Sequence, residues 1–199
     1  AGDPDGDTTS FVVVDAAGNA VSFIHSLSLA FGSGVTIPGT GILLNNRAGR
    51  GFVLDPEHPN CLAPGKKTMH TLNTYLITYD GRPFLIGNTP GGDGQPQWNM
   101  QIIVNCLDFS MSVYEAVTAP RWTSIPGTDP ASIDQPARVR LENRFPESLQ
   151  KRLQELGHTI QVVDAWASGG AVQLIMIDPR TGVRMGASDP RGDGNCLGF

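Results

Sequence analysis

Three features predict a layered α+β fold. Strand-like runs gather at both ends of the chain, helical periodicity fills the middle, and short turns containing Gly join successive strands. Phe11 to Val14 is a β-branched run that reads as a buried strand. Ala16-Ala17-Gly18-Asn19 is a turn. The next segment alternates, with Val21, Phe23, Leu27 and Leu29 on one face and His25 among them. Ser22, Ile24, Ser26 and Ser28 lie on the other. Period two makes this a strand with one apolar face and one mostly small, polar face, paired with the first strand as a hairpin.

Gly32 to Gly41 is a Gly-rich loop followed by Ile42-Leu43-Leu44. Asn45 to Pro64, with few apolar residues and three prolines, reads as a long surface loop of the kind that carries function. Leu72 to Thr78, Asp80-Gly81 and Phe84 to Gly87 form a second hairpin. Trp98, Ile102, Cys106 and Phe109, flanked by Met100, Ile103 and Leu107, form a broad apolar stripe at helical spacing. Ser112 to Ala119 is a short helix ended by Pro120. Pro146 to Leu156 is the clearest helix: Leu149, Leu153 and Leu156 line one side, Pro146 suits the first turn and Gly157 ends it. Ile160 to Val163, Val172 to Ile177 and Val183 to Ala187 close the chain as strands.

Composition narrows the function. With 14 Lys+Arg against 19 Asp+Glu the net charge is −5, so nucleic acid is not the expected partner. Hydrophobic residues at 40 % and charged ones at 17 % allow a packed core and exclude global disorder. No apolar stretch approaches the roughly 20 residues of a membrane span. Cys61, Cys106 and Cys196 suit neither a disulfide framework nor a zinc site and read as ordinary buried thiols. His25, His58, His70 and His158 are scattered, so no metal and no cofactor are expected. Ala1 to Asp7 is a Gly/Asp/Pro-rich linker without the basic and apolar regions of a signal peptide. The absence of an initiator Met fits a piece of something larger.

Two local features carry chemistry. Gly6-Asp7-Thr8-Thr9 stands at the entrance to the first strand. If the Asp7–Thr8 bond is cut, Thr8 gains a free α-amine beside its hydroxyl. An amine of ordinary pKa about 8 can act as the base for that nucleophile. A merely polar strand start is the competing reading. Thr89-Pro90-Gly91-Gly92 closes the second hairpin before the helical stripe. Consecutive glycines let backbone N–H groups turn toward a ligand, the geometry of an oxyanion hole. An ordinary strand–helix turn is the alternative.

Together these stretches resemble the small subunit of the gamma-glutamyltransferase family. The matching motifs are Gly-Asp-Thr-Thr-Ser-Phe-Val-Val-Val-Asp (6–15), Gly-Asn-Ala-Val-Ser-Phe (18–23), Phe-Gly-Ser-Gly (31–34) and Gly-Thr-Gly-Ile-Leu-Leu-Asn-Asn (39–46). Ala-Pro-Gly-Lys-Lys (63–67), Pro-Gly-Gly (90–92), Glu-Ala-Val-Thr-Ala-Pro-Arg (115–121) and Gly-Ala-Ser-Asp-Pro-Arg (186–191) follow in order. The resemblance implies an N-terminal nucleophile (Ntn) hydrolase with a four-layer αββα sandwich, of which residues 8–199 are the small catalytic subunit and 1–7 the linker before the nucleophile. It implies a precursor that cuts itself before Thr8, leaving a large N-terminal subunit as partner. It assigns Thr8 as nucleophile, Gly91 and Gly92 as oxyanion donors, and Ser26, where most members have Thr, as the hydroxyl supporting the nucleophile.

The chain departs from the family's glutamate clamp. Ser28 stands where glutamyl-specific members carry Asn. Arg47 and Arg50 follow Asn46 where those members carry an acid, and His70-Thr71 replaces a Ser-Ser pair. An Arg in place of an amine-binding acid exchanges attraction for repulsion. The pattern resembles the acylase-like branch, which includes cephalosporin acylases. The expectation is an amidohydrolase or acyltransferase acting on a small-molecule amide, with Ser28, Asn46, Arg47, Arg50, His70 and Thr71 binding substrate. Arg47 and Arg50 favour a free carboxylate on the acyl part; a solvated loop is their alternative. A gamma-glutamyl transpeptidase, or an uncleaved or inactive fragment, remains the competing whole-chain reading.

Overall fold

A computed structural model describes residues 8–127 and 134–199, so the expected linker at 1–7 lies outside the described residues. Strands β1 (Thr8–Val14) and β2 (Ala20–Ser26) form an antiparallel hairpin in which Thr8 pairs with Ser26. The second hairpin, β3 (Thr74–Tyr79) and β4 (Arg82–Asn88), is joined on its β4 side by β8 (Gln173–Ile177) and β9 (Arg184–Ser188), giving one antiparallel sheet of order β3-β4-β8-β9. Helices α2 (Gly94–Leu107) and α3 (Val113–Thr118) cover one face of this sheet. The core between them holds Leu85, Ile102, Cys106, Val113, Ala116, Val117, Val172, Leu174 and Ala187. Burial pushes the Cys106 thiol up to about 11. The β1–β2 hairpin packs across β3, β4 and β8. Helices, sheet and hairpin stack as three layers, and the mixed α+β class is as expected.

The hairpin shows which of its faces is the inner one. Ser22, Ile24 and Ser26 are half-buried, while Phe11, Val13, Val21 and Phe23 are exposed. The Phe11 and Phe23 rings stack with centroids 4.9 Å apart on this outer side. The small polar face is turned inward because backbone carbonyls and an amide meet it there. Ser22 Oγ donates to the Gly87 carbonyl at 2.9 Å. The wholly buried Asn88 donates from Nδ2 to the Phe11 carbonyl, to Ser22 Oγ and to the Phe23 carbonyl.

Several local expectations need correction. Leu27 and Ser28 do not continue β2, because Ser28 has φ 79° and turns its N–H to Ser26 Oγ at 2.9 Å. The long loop after Asn45 contains a short helix, α1 (Arg47–Gly51). Phe109 lies beyond the end of α2 and is 65 % exposed, so the buried stripe is Trp98, Ile102 and Cys106 alone. Pro146 sits at the N-cap of α4 (Glu147–Glu155), one position before the first turn, and no residue of α4 is buried. Cys196 is exposed and Cys61 half-buried, so only Cys106 is a core thiol. Strands β5 (Trp122–Ile125) and β6 (Arg138–Glu142) pair antiparallel, and β6 pairs parallel with β7 (Ile160–Val163) in a separate three-stranded sheet.

This second sheet is held to the first by a buried charge cluster. Glu142 and Asp189 have no exposed side-chain surface. Arg191 bridges both, with Nε 2.7 Å from Glu142 and Nη1 3.0 Å from Asp189. Arg121 pairs with Asp189 at 2.6 Å, Arg144 also pairs with Glu142, and Ser168 Oγ donates to Glu142 at 3.0 Å. Spare guanidinium donors reach the carbonyls of Val117, Ala119 and Gly169. Burial alone pushes the Glu142 carboxyl up, but hydrogen bonds and charge from Arg191, with Arg144 and Ser168, outweigh it and hold the group at about 2.

Glu142→Gln leaves three guanidinium groups around one remaining carboxylate, at an expected cost of about 3–5 kcal/mol. The folded carboxyl titrates near 2 against an ordinary 4.5, so its stabilisation is present above pH 4.5 and fades as pH falls toward 2. Chemical denaturation across this range should show the gap between wild type and Glu142→Gln closing with acid. A gap independent of pH would contradict the assignment.

Candidate active site

The start of β1 places Thr8 opposite the last residue of β2. Thr8 Oγ1 and Ser26 Oγ are 2.7 Å apart. Ser26 Oγ also accepts the Ser28 N–H, so the helper hydroxyl is held from behind by the turn that ends its strand. Ser28 is buried and its own hydroxyl has no partner among the described residues. The following residue, Leu29, donates its N–H to Asn46 Oδ1 at 3.0 Å, and Asn46 N–H returns to the Leu27 carbonyl at 3.1 Å. Asn46 therefore ties α1 to the end of β2, and its carbonyl oxygen is already engaged by backbone.

That tie brings α1 and its two arginines to the end of β2, opposite Thr8. Arg47 and Arg50 line a recess together with Met69, Thr71, Gly92 and Asp93. Arg47 Nη2 donates to Thr71 Oγ1 at 3.2 Å. A second cavity, of about 170 Å³, adjoins it and is lined by His70, Thr71, Leu72, Asn73, Asp93 and Pro96. Thr71 and Asp93 belong to both. Arg47, Arg50, His70, Thr71 and Gly92 thus gather in one region, although they come from three separate parts of the sequence. His70 is exposed.

The glycine turn follows β4 and precedes α2. Gly91 has φ 121° and Gly92 φ 55°, backbone states that glycine adopts without a Cβ penalty. Their carbonyls accept from Gly94 and Gln95 N–H as α2 begins. Among the described residues, neither the Gly91 nor the Gly92 N–H has an acceptor. Two unspent donors beside a helix N-terminus suit a developing negative charge. Asn88 grips β1 at Phe11 and stands three residues before Gly91, while Thr8 stands three before Phe11. One buried amide thus couples β1 to the glycine turn. Sequence reasoning passed over Asn88; its only signal was a polar residue closing an otherwise apolar strand. Among the described residues no group of His, Cys, Asp and Glu is placed to hold a metal ion.

The gamma-glutamyltranspeptidase family profile matches residues 1–199. The chain belongs to the gamma-glutamyltranspeptidase family. Within it, the chain is 42 % identical over 194 residues to the glutathione hydrolase-like YwrD proenzyme of Bacillus subtilis, covering 97 % of this chain and 36 % of that protein. It is 39 % identical over 195 residues to the oxamate amidohydrolase proenzyme of Klebsiella pneumoniae, covering 98 % and 36 %. The structure of cephalosporin acylase from Bacillus halodurans superposes with TM-score 0.81 at 41 % identity, over 92 % of this chain and 32 % of that one. The chain therefore spans about a third of the length of these family members. The Ntn-hydrolase fold expected from the sequence motifs is the fold of these relatives.

The two glycines of the turn differ in what surrounds them. A Cβ at Gly91 would lie 2.2 Å from Trp98 Cζ3, whereas a Cβ at Gly92 meets nothing within 4 Å. Gly91→Ala combines this overlap with φ strain and should cost more than about 2 kcal/mol, while Gly92→Ala should cost about 1 kcal/mol from strain alone. Denaturant midpoints of the two variants check the order, and equal midpoints would contradict the geometry.

Proposed function

We propose that this chain is the catalytic small subunit of an N-terminal-threonine amidohydrolase. The observation that carries the reading is the 2.7 Å contact between the Thr8 and Ser26 hydroxyls at the head of β1. A lone polar residue at a strand start needs no second hydroxyl aimed at it. In this reading the precursor cuts its Asp7–Thr8 bond and frees the Thr8 α-amine. The amine takes the hydroxyl proton as Thr8 Oγ1 attacks the substrate's amide carbonyl. The Gly91 and Gly92 N–H groups receive the oxyanion, and Ser26 supports the nucleophile. Collapse passes the proton to the departing amine and leaves an ester on Thr8. Water then attacks that ester, the acid departs and the hydroxyl is restored.

The partner is the large subunit from the same precursor. Support comes from the relatives, which are named as proenzymes about three times as long as this chain. Further support is the outer face of the β1–β2 hairpin, where Phe11, Val13, Val21 and Phe23 stand exposed. A large subunit packed there supplies the fourth layer.

The substrate is a small amide whose acyl part carries a free carboxylate. Arg47 and Arg50 beside Gly92 favour an anion next to the oxyanion donors, and Arg binds carboxylates in a fork. The named substrate of the Klebsiella relative, oxamate, has this character, since its amide carbon bears a carboxylate directly.

Thr8→Ala in the full precursor should remain one uncut chain without amidase activity; a processed variant would overturn the reading. Matched glutaryl and gamma-glutamyl anilides test the substrate class. A gamma-glutamyl preference of about tenfold or more in kcat/KM, some 1.4 kcal/mol, would show that the α-amine is bound as well as the carboxylate, contradicting an acylase-like site without an amine-binding acid and favouring a transpeptidase. Ser26→Ala should lower kcat on the order of tenfold to a hundredfold with little change in KM, because the hydrogen bond serves the transition state more than the bound substrate.

A further inference from the structure

The sequence places Trp98 in the apolar stripe of α2, and its burial in that stripe explains a large residue there. It does not explain what the ring touches. Glycines from two separate segments close on the indole. An added Cβ would lie 2.2 Å from the ring at Gly91, in the glycine turn, and 2.3 Å at Gly94, the first residue of α2. It would lie 2.9 Å away at Gly169 and 2.6 Å at Gly170, both in the segment leading into β8. Gly91, Gly169 and Gly170 all have positive φ, so the chain bends to bring bare backbone against the ring.

The ring cannot drift within this slot. Its Nε1–H donates to Thr123 Oγ1 at 2.7 Å, and Thr123 in turn donates to the Ser168 carbonyl at 3.2 Å. Thr89 Oγ1 locks the other end of the turn, accepting the Ala171 N–H and donating to the Pro90 carbonyl, each at 2.9 Å. Arg121 Nη1 holds the Gly169 carbonyl at 2.9 Å from the charge cluster. The turn that carries the Gly91 and Gly92 N–H groups therefore rests on a plate whose tilt is set by one hydrogen bond.

We propose that Trp98 is a positioning residue for the oxyanion donors. The indole fixes the height of the Gly91–Gly92 turn, and the Nε1–Thr123 hydrogen bond fixes its tilt. This inference rests on the reading of Gly91 and Gly92 as donors to the oxyanion. Oxyanion donors act through orientation, and a displacement of about 1 Å costs on the order of a hundredfold in rate. A smaller ring lets the turn sink, and a ring without its tether lets the turn rock. Either change misplaces donors in the transition state and leaves substrate binding by Arg47 and Arg50 largely intact.

The test uses the full precursor with glutaryl anilide as probe, kcat being normalised to the amount of processed enzyme. Wild type, Thr8→Ala, Trp98→Phe, Thr123→Val and Thr123→Ser are compared. Trp98→Phe should lose on the order of tenfold to a hundredfold in kcat with KM within about threefold. Thr123→Val keeps the shape but removes the acceptor, and should lose about threefold to tenfold, whereas Thr123→Ser should restore wild-type kcat. If Trp98→Phe fails to fold or process, the Thr123 pair decides by itself. A Trp98→Phe or Thr123→Val enzyme with wild-type kcat per processed molecule, whatever its melting temperature, would overturn the inference and leave the proposed function standing. So would a loss confined to KM. A wild-type enzyme as inactive as Thr8→Ala would instead overturn the proposed function, and this inference with it.

Discussion

Two carboxylates shut away from solvent decide where three segments of this chain meet. Glu142 ends β6, and Asp189 follows β9. Arg121, Arg144 and Arg191 converge on them from the end of α3, the turn after β6 and the chain beyond β9. Neither carboxylate can remain ionised in the interior without those partners, and none of the arginines can be buried alone. The cluster is satisfied only when both sheets are assembled. Its remaining donors hold the carbonyls of Val117, Ala119 and Gly169, so the same condition fixes the end of α3 and the glycine pair beside Trp98. The site inherits its geometry from a charge cluster that takes no part in its chemistry.

From the cluster the constraint passes by contact. Arg121 sets Gly169, Gly169 and Gly170 bound one side of the Trp98 ring, and the ring bounds Gly91 of the turn and Gly94 at the head of α2. On the opposite face of the β3-β4-β8-β9 sheet, Asn88 ties β4 to the hairpin that carries Thr8. Strand β1 and the glycine turn are therefore set by the same strand end, Asn88 on one and Thr89 on the other. Arg47 and Arg50 arrive differently, on a short helix tied to β2 through Asn46. If they bind the acyl group as proposed, changes in that helix alter which acyl group is accepted without disturbing the hydroxyl pair at Thr8 and Ser26. This separation fits a family whose named members include glutathione hydrolases, an oxamate amidohydrolase and acylases.

What was legible in the sequence is what local pattern encodes. Hairpins announced themselves by alternation and turn residues, the last strands by β-branched runs, and the family by ordered motifs that begin with the hydroxyl pair at a strand entrance. The charge cluster was not legible, because Arg121, Glu142 and Asp189 are separated by tens of residues and each reads as an ordinary surface charge. The two faces of β2 were separable by period but not by direction. An apolar face normally turns inward, and here the interior is built from Ser22, Asn88 and backbone carbonyls instead. Ser28 failed as a strand residue because its φ of 79° is set by a hydrogen bond to the neighbouring Ser26 hydroxyl, which no periodicity reports. Strand β6 was missed although Val139 and Leu141 alternate, because three charged residues in five disguised it.

On the proposed mechanism the Thr8 hydroxyl becomes acylated during turnover. Quenching the processed precursor with acid during steady-state cleavage of a glutaryl anilide, followed by peptide mapping, reads this acylation. A glutaryl ester on the peptide whose first residue is Thr8 is the expected result. Glutaryl on a different side chain, or turnover by a chain whose Asp7–Thr8 bond is intact, would contradict it.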